Sequence, residues 1–161
     1  MDKDVGGERV ALSTTSCAYK PCYIGKHLKV GENVSIGSMC HIGRNVTIGA
    51  NSNIQGSNYI ADKTVIGNSV FIGPNSTILN DKYPPSGDAT KWVPVQVDDN
   101  AVIGGGCTVL PGAHIGEGAV LGGGSVLTKP LPDGEVWVGN PAQFLMTREE
   151  YDGKRLSLIH I

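Results

Sequence analysis

One segment of the chain groups side chains that can bind a polar substrate. Asn80, Asp81, Lys82 and Tyr83 follow one another and supply an amide, a carboxylate, an ammonium group and a phenol. The prolines and turn formers of the surrounding segment 79–96 are incompatible with a strand. Because loops carry binding and catalytic groups more often than the elements they connect, we expect a site here. The alternative, that Asn80 and Asp81 only begin a turn, stays open at this point.

Two glycine runs offer backbone groups at positions that lack side chains. Gly104–Gly106 and Gly122–Gly124 lie eighteen residues apart. A period of eighteen residues would place both runs at the same corner of successive turns of the chain. Their amides could then donate hydrogen bonds to a long ligand arm, although corner glycines are expected without any ligand.

Composition excludes several classes of partner. The chain has 161 residues, a net charge of −2 and 17% charged residues, which disfavours nucleic acid and anionic lipid. It has no apolar run long enough to span a membrane and no apolar leader, so we expect no membrane contact and a cytoplasmic location. The four cysteines form no CxxC pair, which favours reduced thiols and no metal.

Aliphatic residues recur at every sixth position, and most are followed by glycine. A helix would repeat its apolar residue every three or four positions and a half-buried strand every two. A strict period of six indicates one inward side chain per short flat segment. The series resumes at Val97 after the interruption and continues to Leu127. Its first part consists of Ile24, Val30, Ile36, Ile42, Ile48, Ile54, Ile60, Ile66, Ile72 and Ile78.

This repeat predicts an all-β fold, a parallel β-helix in which three segments close a coil of eighteen residues. Aliphatic side chains would stack at the roughly 4.8 Å spacing of adjacent strands, and the glycines would turn the chain by accepting positive φ. Cys40 and Cys107 fall at small inner positions and are interpreted as core residues.

The predicted organisation has four parts. Residues 1–11 are an N-terminal tail, and residues 12–139 are the β-helix domain with its loop 79–96. Residues 140–153 are a short C-terminal helix, for which Asn140 is the expected N-cap and Pro141 the first helical residue. Residues 154–161 lie outside every pattern and are interpreted as a tail or a scar.

The runs from Ile36-Gly37 to Ile48-Gly49 and from Ile103-Gly104 to Leu121-Gly122 resemble the hexapeptide-repeat acyltransferases, over roughly residues 12–146. The resemblance implies that the β-helix is left-handed and that the protein is a homotrimer. Neither property follows from the period itself.

Within that family, residues 71–84 are similar to the sugar-nucleotide 3-N-acetyltransferases. The similarity implies an amino sugar on UDP or dTDP as the substrate, in the biosynthesis of lipopolysaccharide and other cell-surface polysaccharides. It implies that Asn80 orients the acceptor amine, with Asp81 as the second catalytic residue, and that Lys82 and Tyr83 bind the substrate. Many relatives have an arginine where this chain has Pro85.

The same resemblance implies acetyl-CoA as the co-substrate and no metal. Gly105 and Gly123 match positions whose backbone contacts the pantetheine arm. Thr128 and Lys129 match a pair near the adenosine and its phosphates, where Lys129 would act as a point charge.

Three alternatives share the fold. Family members that acetylate sugar hydroxyls carry a histidine in this loop, and a hydroxyl needs such a base more than a sugar amine does. The loop here has no histidine, which favours an amine. A γ-type carbonic anhydrase would need three zinc-binding histidines, which His27, His41 and His114 do not supply at suitable spacing. The third alternative is a scaffold protein without enzymatic activity.

Overall fold

The computed structural model describes residues 7–159, and the side chains of residues 7–157. Short strands joined by tight turns make up most of that range, and one α-helix closes it. No helix within the range is long and apolar enough to cross a membrane.

Each element of the solenoid is only two or three residues long, and longer strands occur only after it. In chain order the elements are β1 (Arg9–Ala11), β2 (Cys17–Tyr19), β3 (Tyr23–Ile24), β4 (Lys29–Val30), β5 (Ser35–Ile36), β6 (His41–Ile42), β7 (Thr47–Ile48), β8 (Asn53–Ile54), β9 (Tyr59–Ile60), β10 (Val65–Ile66), β11 (Phe71–Ile72), β12 (Thr77–Ile78), a 3₁₀ helix (Ala89–Lys91), β13 (Gln96–Val97), β14 (Val102–Ile103), β15 (Thr108–Val109), β16 (His114–Ile115), β17 (Val120–Leu121), β18 (Val126–Leu127), β19 (Glu135–Gly139), β20 (Ala142–Thr147) and α1 (Arg148–Ile159).

The strands form the three faces of a left-handed parallel β-helix of about seven coils, which confirms the predicted fold class. Sheet A has the order β1-β2-β5-β8-β11-β14-β17-β19-β20, sheet B the order β18-β15-β12-β9-β6-β3, and sheet C the order β16-β13-β10-β7-β4. Paired residues in successive coils are eighteen positions apart, as Ile42 and Ile60 are. Each strand therefore bonds to the strand one coil away.

The predicted loop leaves this register intact. Ile78 pairs with Val109, which is 31 residues later instead of eighteen, so thirteen extra residues leave the coil and return to it. Ile66 pairs with Val97 at the same separation. The loop is thus an insertion at the corner between sheets B and C.

The core is a column of stacked aliphatic side chains, as the period predicts. Ile42, Ile60 and Ile78 on one face are each 0% exposed. Small polar residues also point inward, and their hydrogen-bonding groups are satisfied. The Ser52 hydroxyl donates to the Gly67 carbonyl at 2.8 Å and accepts from the Val70 amide at 3.0 Å. These bonds remove the cost of burying a hydroxyl.

The corner glycines have two roles, and one of them is the predicted one: Gly106, Gly112, Gly118 and Gly124 turn the chain with positive φ. The residue with positive φ is the third after the aliphatic residue, for example Asn33 (φ 55°) and Asn51 (φ 61°). The glycine directly after the aliphatic residue lies against the next coil instead. A Cβ on Gly73 would stand 2.5 Å from the Gly105 amide nitrogen. Glycine is required there because the two backbones approach closely.

Both ends of the chain differ from the prediction. Residues 9–11, expected in a tail, form β1 and pair antiparallel with β2. Residues 142–147, expected in a helix, form β20, which pairs antiparallel with β19. Asn140 and Pro141 are therefore turn residues between two strands, and not a helix cap.

The C-terminal helix begins at Arg148 because a capping box lies at its start. The Thr147 hydroxyl accepts from the Glu150 amide at 3.2 Å, and the Glu150 carboxylate accepts from the Thr147 amide at 2.8 Å. The helix continues through most of the predicted tail 154–161, whose last two residues lie outside the described residues, as do residues 1–6 of the N-terminal tail.

Replacing Gly73 with alanine should lower the free energy of unfolding by about 1–3 kcal/mol, because the new methyl group must displace the backbone of the adjacent coil. Urea unfolding of the variant measures this. Gly153→Ala is the control, since nothing lies within 4 Å of its added Cβ. Equal stability of Gly73→Ala and the wild type would contradict the close approach.

Candidate active site

Backbone hydrogen bonds tie both ends of the loop to the same corner. The Val93 amide donates to the Asn80 carbonyl at 2.7 Å, and the Gly112 amide donates to the Val93 carbonyl at 2.8 Å. The first and last parts of the loop are thus fixed to each other and to the coil above. Asn80 is half-buried where the loop leaves the solenoid.

Two carboxylates hold the interior of the loop. Asp81 accepts a hydrogen bond from the Ser86 amide at 2.9 Å. Asp88 caps the 3₁₀ helix by accepting from the side chain of Thr90 at 2.6 Å and from its amide at 2.9 Å. These bonds stabilise the ionised form and lower the pKa of Asp88. These hydrogen bonds fix the conformation of the loop interior.

A cavity of about 460 Å³ lies above the loop, and we call it the upper cavity. It brings together residues that the sequence places far apart. Asp81, Lys82 and Tyr83 line one side, and Thr128 and Lys129 at the exit of the solenoid line the other. Its remaining walls are formed largely by apolar residues: Leu79, Pro84, Leu110, Pro111, Gly112, Ala113 and Pro130.

The upper cavity is open on its outer side. Tyr83 is 79% exposed, and the Lys82 ammonium lies 5.7 Å from the centre of its ring. Both side chains extend from the loop over the cavity. A single chain leaves this side uncovered.

Asn80 lies in a second cavity of about 300 Å³ below the loop, which we call the lower cavity. The Asn80 side-chain Nδ2 donates weakly to the Asp62 backbone carbonyl at 3.4 Å. The loop therefore separates Asn80 from Asp81, the two residues expected to act together. The other residues of the lower cavity are Tyr23, His41, Arg44, Tyr59, Asp62 and Trp92.

Gly105 and Gly123 lie at the preceding corner, between sheets A and B, and are stacked one coil apart. At other corners the amide of the equivalent residue donates to a side chain in the next coil, as the Arg44 amide does to Asp62 at 2.8 Å. Gly123, one coil above Gly105, has no side chain to accept such a bond. Neither the Gly105 amide nor the Gly123 amide donates to an acceptor among residues 7–159. The corner thus presents free donors. They lie across sheet B from Thr128 and Lys129.

One pair of residues that sequence reasoning missed lies on sheet C. The His114 Nε2 atom is 2.6 Å from Asp98 Oδ2, and the Gln96 side-chain Nε2 donates to Asp98 Oδ1 at 3.0 Å. A carboxylate that orients a histidine is the arrangement of many general bases. The coil period could have shown it, since Gln96 and His114 pair in register and Asp98 follows two residues later.

The cysteines lie in the core, as predicted for Cys40 and Cys107. These two thiols are 2% and 1% exposed, and desolvation by burial raises the pKa of each. Each Sγ atom lies 3.1 Å from a backbone carbonyl. Across residues 7–159 no three His, Cys, Asp or Glu side chains are placed to hold a metal ion.

Comparison with known proteins supports the repeat and the fold. The family model for bacterial transferase hexapeptide repeats, described as six repeats, matches residues 94–129. The galactoside O-acetyltransferase of Lactococcus lactis is 38% identical over 81 residues, which are 47% of this chain and 39% of that protein. The chain spans about half or less of the length of the curated relatives it matches.

Two solved structures share the architecture. AntD, an N-acyltransferase from Bacillus cereus in complex with dTDP and 3-hydroxybutyryl-CoA, has a TM-score of 0.73 and 21% identity, with 92% of this chain and 90% of that chain covered. PerB from Caulobacter crescentus, in complex with CoA and GDP-perosamine, has a TM-score of 0.71 and 23% identity over 81% of this chain and 57% of that one. At these identities the likeness concerns the fold. Together with the repeat match, it confirms the resemblance to the hexapeptide-repeat acyltransferases.

Proposed function

We propose that this hexapeptide-repeat chain is an acyltransferase that moves the acetyl group of acetyl-CoA to the amine of an amino sugar carried on UDP or dTDP. The observation that carries the proposal is the upper cavity, where the polar loop residues meet the lysine at the solenoid exit. The fold neighbours AntD and PerB, crystallised with CoA derivatives and a nucleotide or nucleotide sugar, support it.

The reaction needs an amine nucleophile, a thioester carbonyl beside it and a donor to the developing oxyanion. In our proposal the side-chain carbonyl of Asn80 accepts from the amine and aligns its lone pair. The amine forms a bond to the thioester carbon, the C–S bond breaks to release the CoA thiolate, and the amine proton passes to solvent, from which the thiolate takes up a proton. Asp81 lies across the loop from Asn80 and accepts from the Ser86 amide, so in our proposal it positions the loop and does not contact the amine.

Acetyl-CoA would lie along the coil edges. The free amides of Gly105 and Gly123 would donate to the pantetheine carbonyls. Thr128 and Lys129 are exposed and reach solvent, so they can meet the adenosine phosphates. Lys82 and Tyr83 would bind the reacting end of the acceptor, where it meets the thioester at the loop. A cytoplasmic location and a role in making cell-surface polysaccharide remain predictions.

A second candidate is O-acetylation of a sugar hydroxyl, with His114 as the general base. The hydrogen-bonded His114–Asp98 pair favours it, as does the likeness to the galactoside O-acetyltransferase. The absence of histidine from the loop favours the amine instead. The third alternative, a scaffold protein without enzymatic activity, does not explain why the upper cavity groups polar loop residues with Lys129.

Single substitutions separate the two chemistries. Asn80→Ala should lower kcat roughly 100-fold, because a hydrogen bond made at a preorganised site is lost, and His114→Ala should change it little. Steady-state thiol release with an amino-sugar nucleotide measures both. If His114→Ala abolished activity while Asn80→Ala did not, the histidine-base mechanism would replace the proposed one.

Lys129→Ala should raise the KM for acetyl-CoA and leave kcat nearly unchanged. A lysine on a phosphate far from the reacting carbonyl stabilises the ground and transition states alike. The effect should shrink with added salt, since exposed charges are screened over roughly 10 Å at 0.1 M. A fall in kcat at saturating acetyl-CoA would instead place Lys129 near the chemistry.

The protein should be a homotrimer with sites between subunits. Within one chain, Asn80 and the pair Gly105 and Gly123 lie at different corners, so a neighbouring β-helix is needed to bring a loop against a glycine corner. Light scattering should give about three times the 16.9 kDa chain mass. A fully active monomer would exclude this arrangement.

A further inference from the structure

The outer face of sheet B carries a column of stacked rings, Tyr23, His41 and Tyr59, which we call the aromatic ladder. The ring centres of Tyr23 and His41 are 4.6 Å apart, those of His41 and Tyr59 are 4.8 Å apart, and the planes lie within 16° of parallel. Tyr23 and Tyr59 are 53% and 44% exposed. The core does not use these rings, and an exposed aromatic column usually marks a binding surface.

The ladder ends directly below the loop. In the next coil the position beside Tyr59 is Thr77, whose short side chain cannot continue the stack. The lower cavity runs along the ladder and reaches Asn80 at the loop. The cavity therefore connects the aromatic surface to the residue proposed to orient the amine.

Polar groups line the other side of the lower cavity. The Arg44 guanidinium is 2.7 Å from the Asp62 carboxylate, and its side chain is 57% exposed whereas that of Asp62 is 18% exposed. Arg44 can thus meet a second anion while it keeps its partner. The buried indole N–H of Trp92 has no acceptor among the described residues.

We propose that the aromatic ladder binds the nucleobase of a nucleoside diphosphate, with the diphosphate near Arg44. Because the rings stack on one another, the ladder exposes their edges, which can contact the π face of any base edge-to-face. Guanidinium groups bind phosphate oxygens. This inference deepens the proposed function, because it assigns the nucleotide part of the acceptor to the lower cavity. The acceptor would lie along the solenoid axis, with its sugar toward Asn80.

The spacing of the lower-cavity residues along the solenoid axis agrees with this placement. Asn80 lies three coils above Tyr23 along the solenoid axis, a distance of about 14 Å at roughly 4.8 Å per coil. An extended nucleotide sugar needs a groove of that order. Because ring contact does not distinguish bases strongly, the ladder should accept dTDP, UDP and GDP with similar affinity.

Isothermal titration calorimetry with dTDP, UDP and GDP tests the ladder without any acetyl transfer. Tyr59→Leu should weaken binding of all three by roughly 2- to 10-fold, the loss expected for one edge-to-face ring contact. Tyr59→Phe should bind nearly as the wild type does, because it keeps the ring. Phe71→Leu is the matched control, since Phe71 is an exposed aromatic residue at the same position of a strand in sheet A.

Inorganic pyrophosphate separates the two parts of the proposed site. Its affinity should fall in Arg44→Ala and stay unchanged in Tyr59→Leu. Unchanged binding of the nucleoside diphosphates to Tyr59→Leu would overturn the inference, and so would a wild-type protein that binds none of them. A loss of the trimer in Tyr59→Leu, with normal nucleotide affinity, would also overturn it by showing that the ladder is a subunit contact.

The outcome is distinguishable from that of the proposed function. If nucleotide binding depends on Tyr59 but the protein acetylates no amino sugar, the ladder is upheld as a nucleotide site and the proposed acetyltransferase activity is rejected. If the protein transfers acetyl groups to a nucleotide sugar and Tyr59→Leu does not alter the KM for that sugar, the acetyltransferase activity is upheld and the ladder is rejected as the nucleotide site.

Discussion

The backbone hydrogen bonds between coils constrain everything else in this structure. They fix the spacing of successive coils at that of neighbouring parallel strands, so each residue repeats the environment of the residue eighteen positions earlier. Side chains therefore form columns along the axis. The columns inside the solenoid are aliphatic, and those on its outer faces differ in chemistry from one face to the next. The same spacing leaves no room for a Cβ on Gly73, and it stacks Tyr23 on His41. An inserted segment can leave the solenoid only at a corner, because the strands on either side must keep their register. Loop 79–96 leaves at such a corner.

The site follows from this geometry. A convex prism has no cleft of its own, and the loop produces two cavities, one on each side, at a single corner. One cavity joins the loop to Lys129, and the other joins Asn80 to the aromatic ladder. The division suits a transfer reaction between two long molecules that meet at the loop, one approaching from each direction along the solenoid axis.

The sequence predicts the solenoid well because the period is local and strict. The inward residues, the loop and the buried thiol of Cys107 all follow from it. The positive φ of Gly106 and Gly124 was predicted as well. The role of the glycines directly after the aliphatic residues was not, because contact between coils depends on three-dimensional spacing. The C-terminal hairpin was missed because Asn140-Pro141 imitates a helix start, whereas the capping box at Thr147 and Glu150 marks the true one. The side of the loop that each residue faces depends on the three-dimensional path of the loop, whereas the pairing of His114 with Asp98 could have been predicted from the eighteen-residue period.

Thiol release from acetyl-CoA, measured over a panel of UDP- and dTDP-linked amino sugars and their hydroxyl counterparts, tests the central claim most directly. The account predicts turnover with at least one amino-sugar nucleotide, and little or none with the hydroxyl sugar that differs from it only at the acceptor atom. Turnover with the hydroxyl sugars alone, or no turnover with any acceptor, would contradict it.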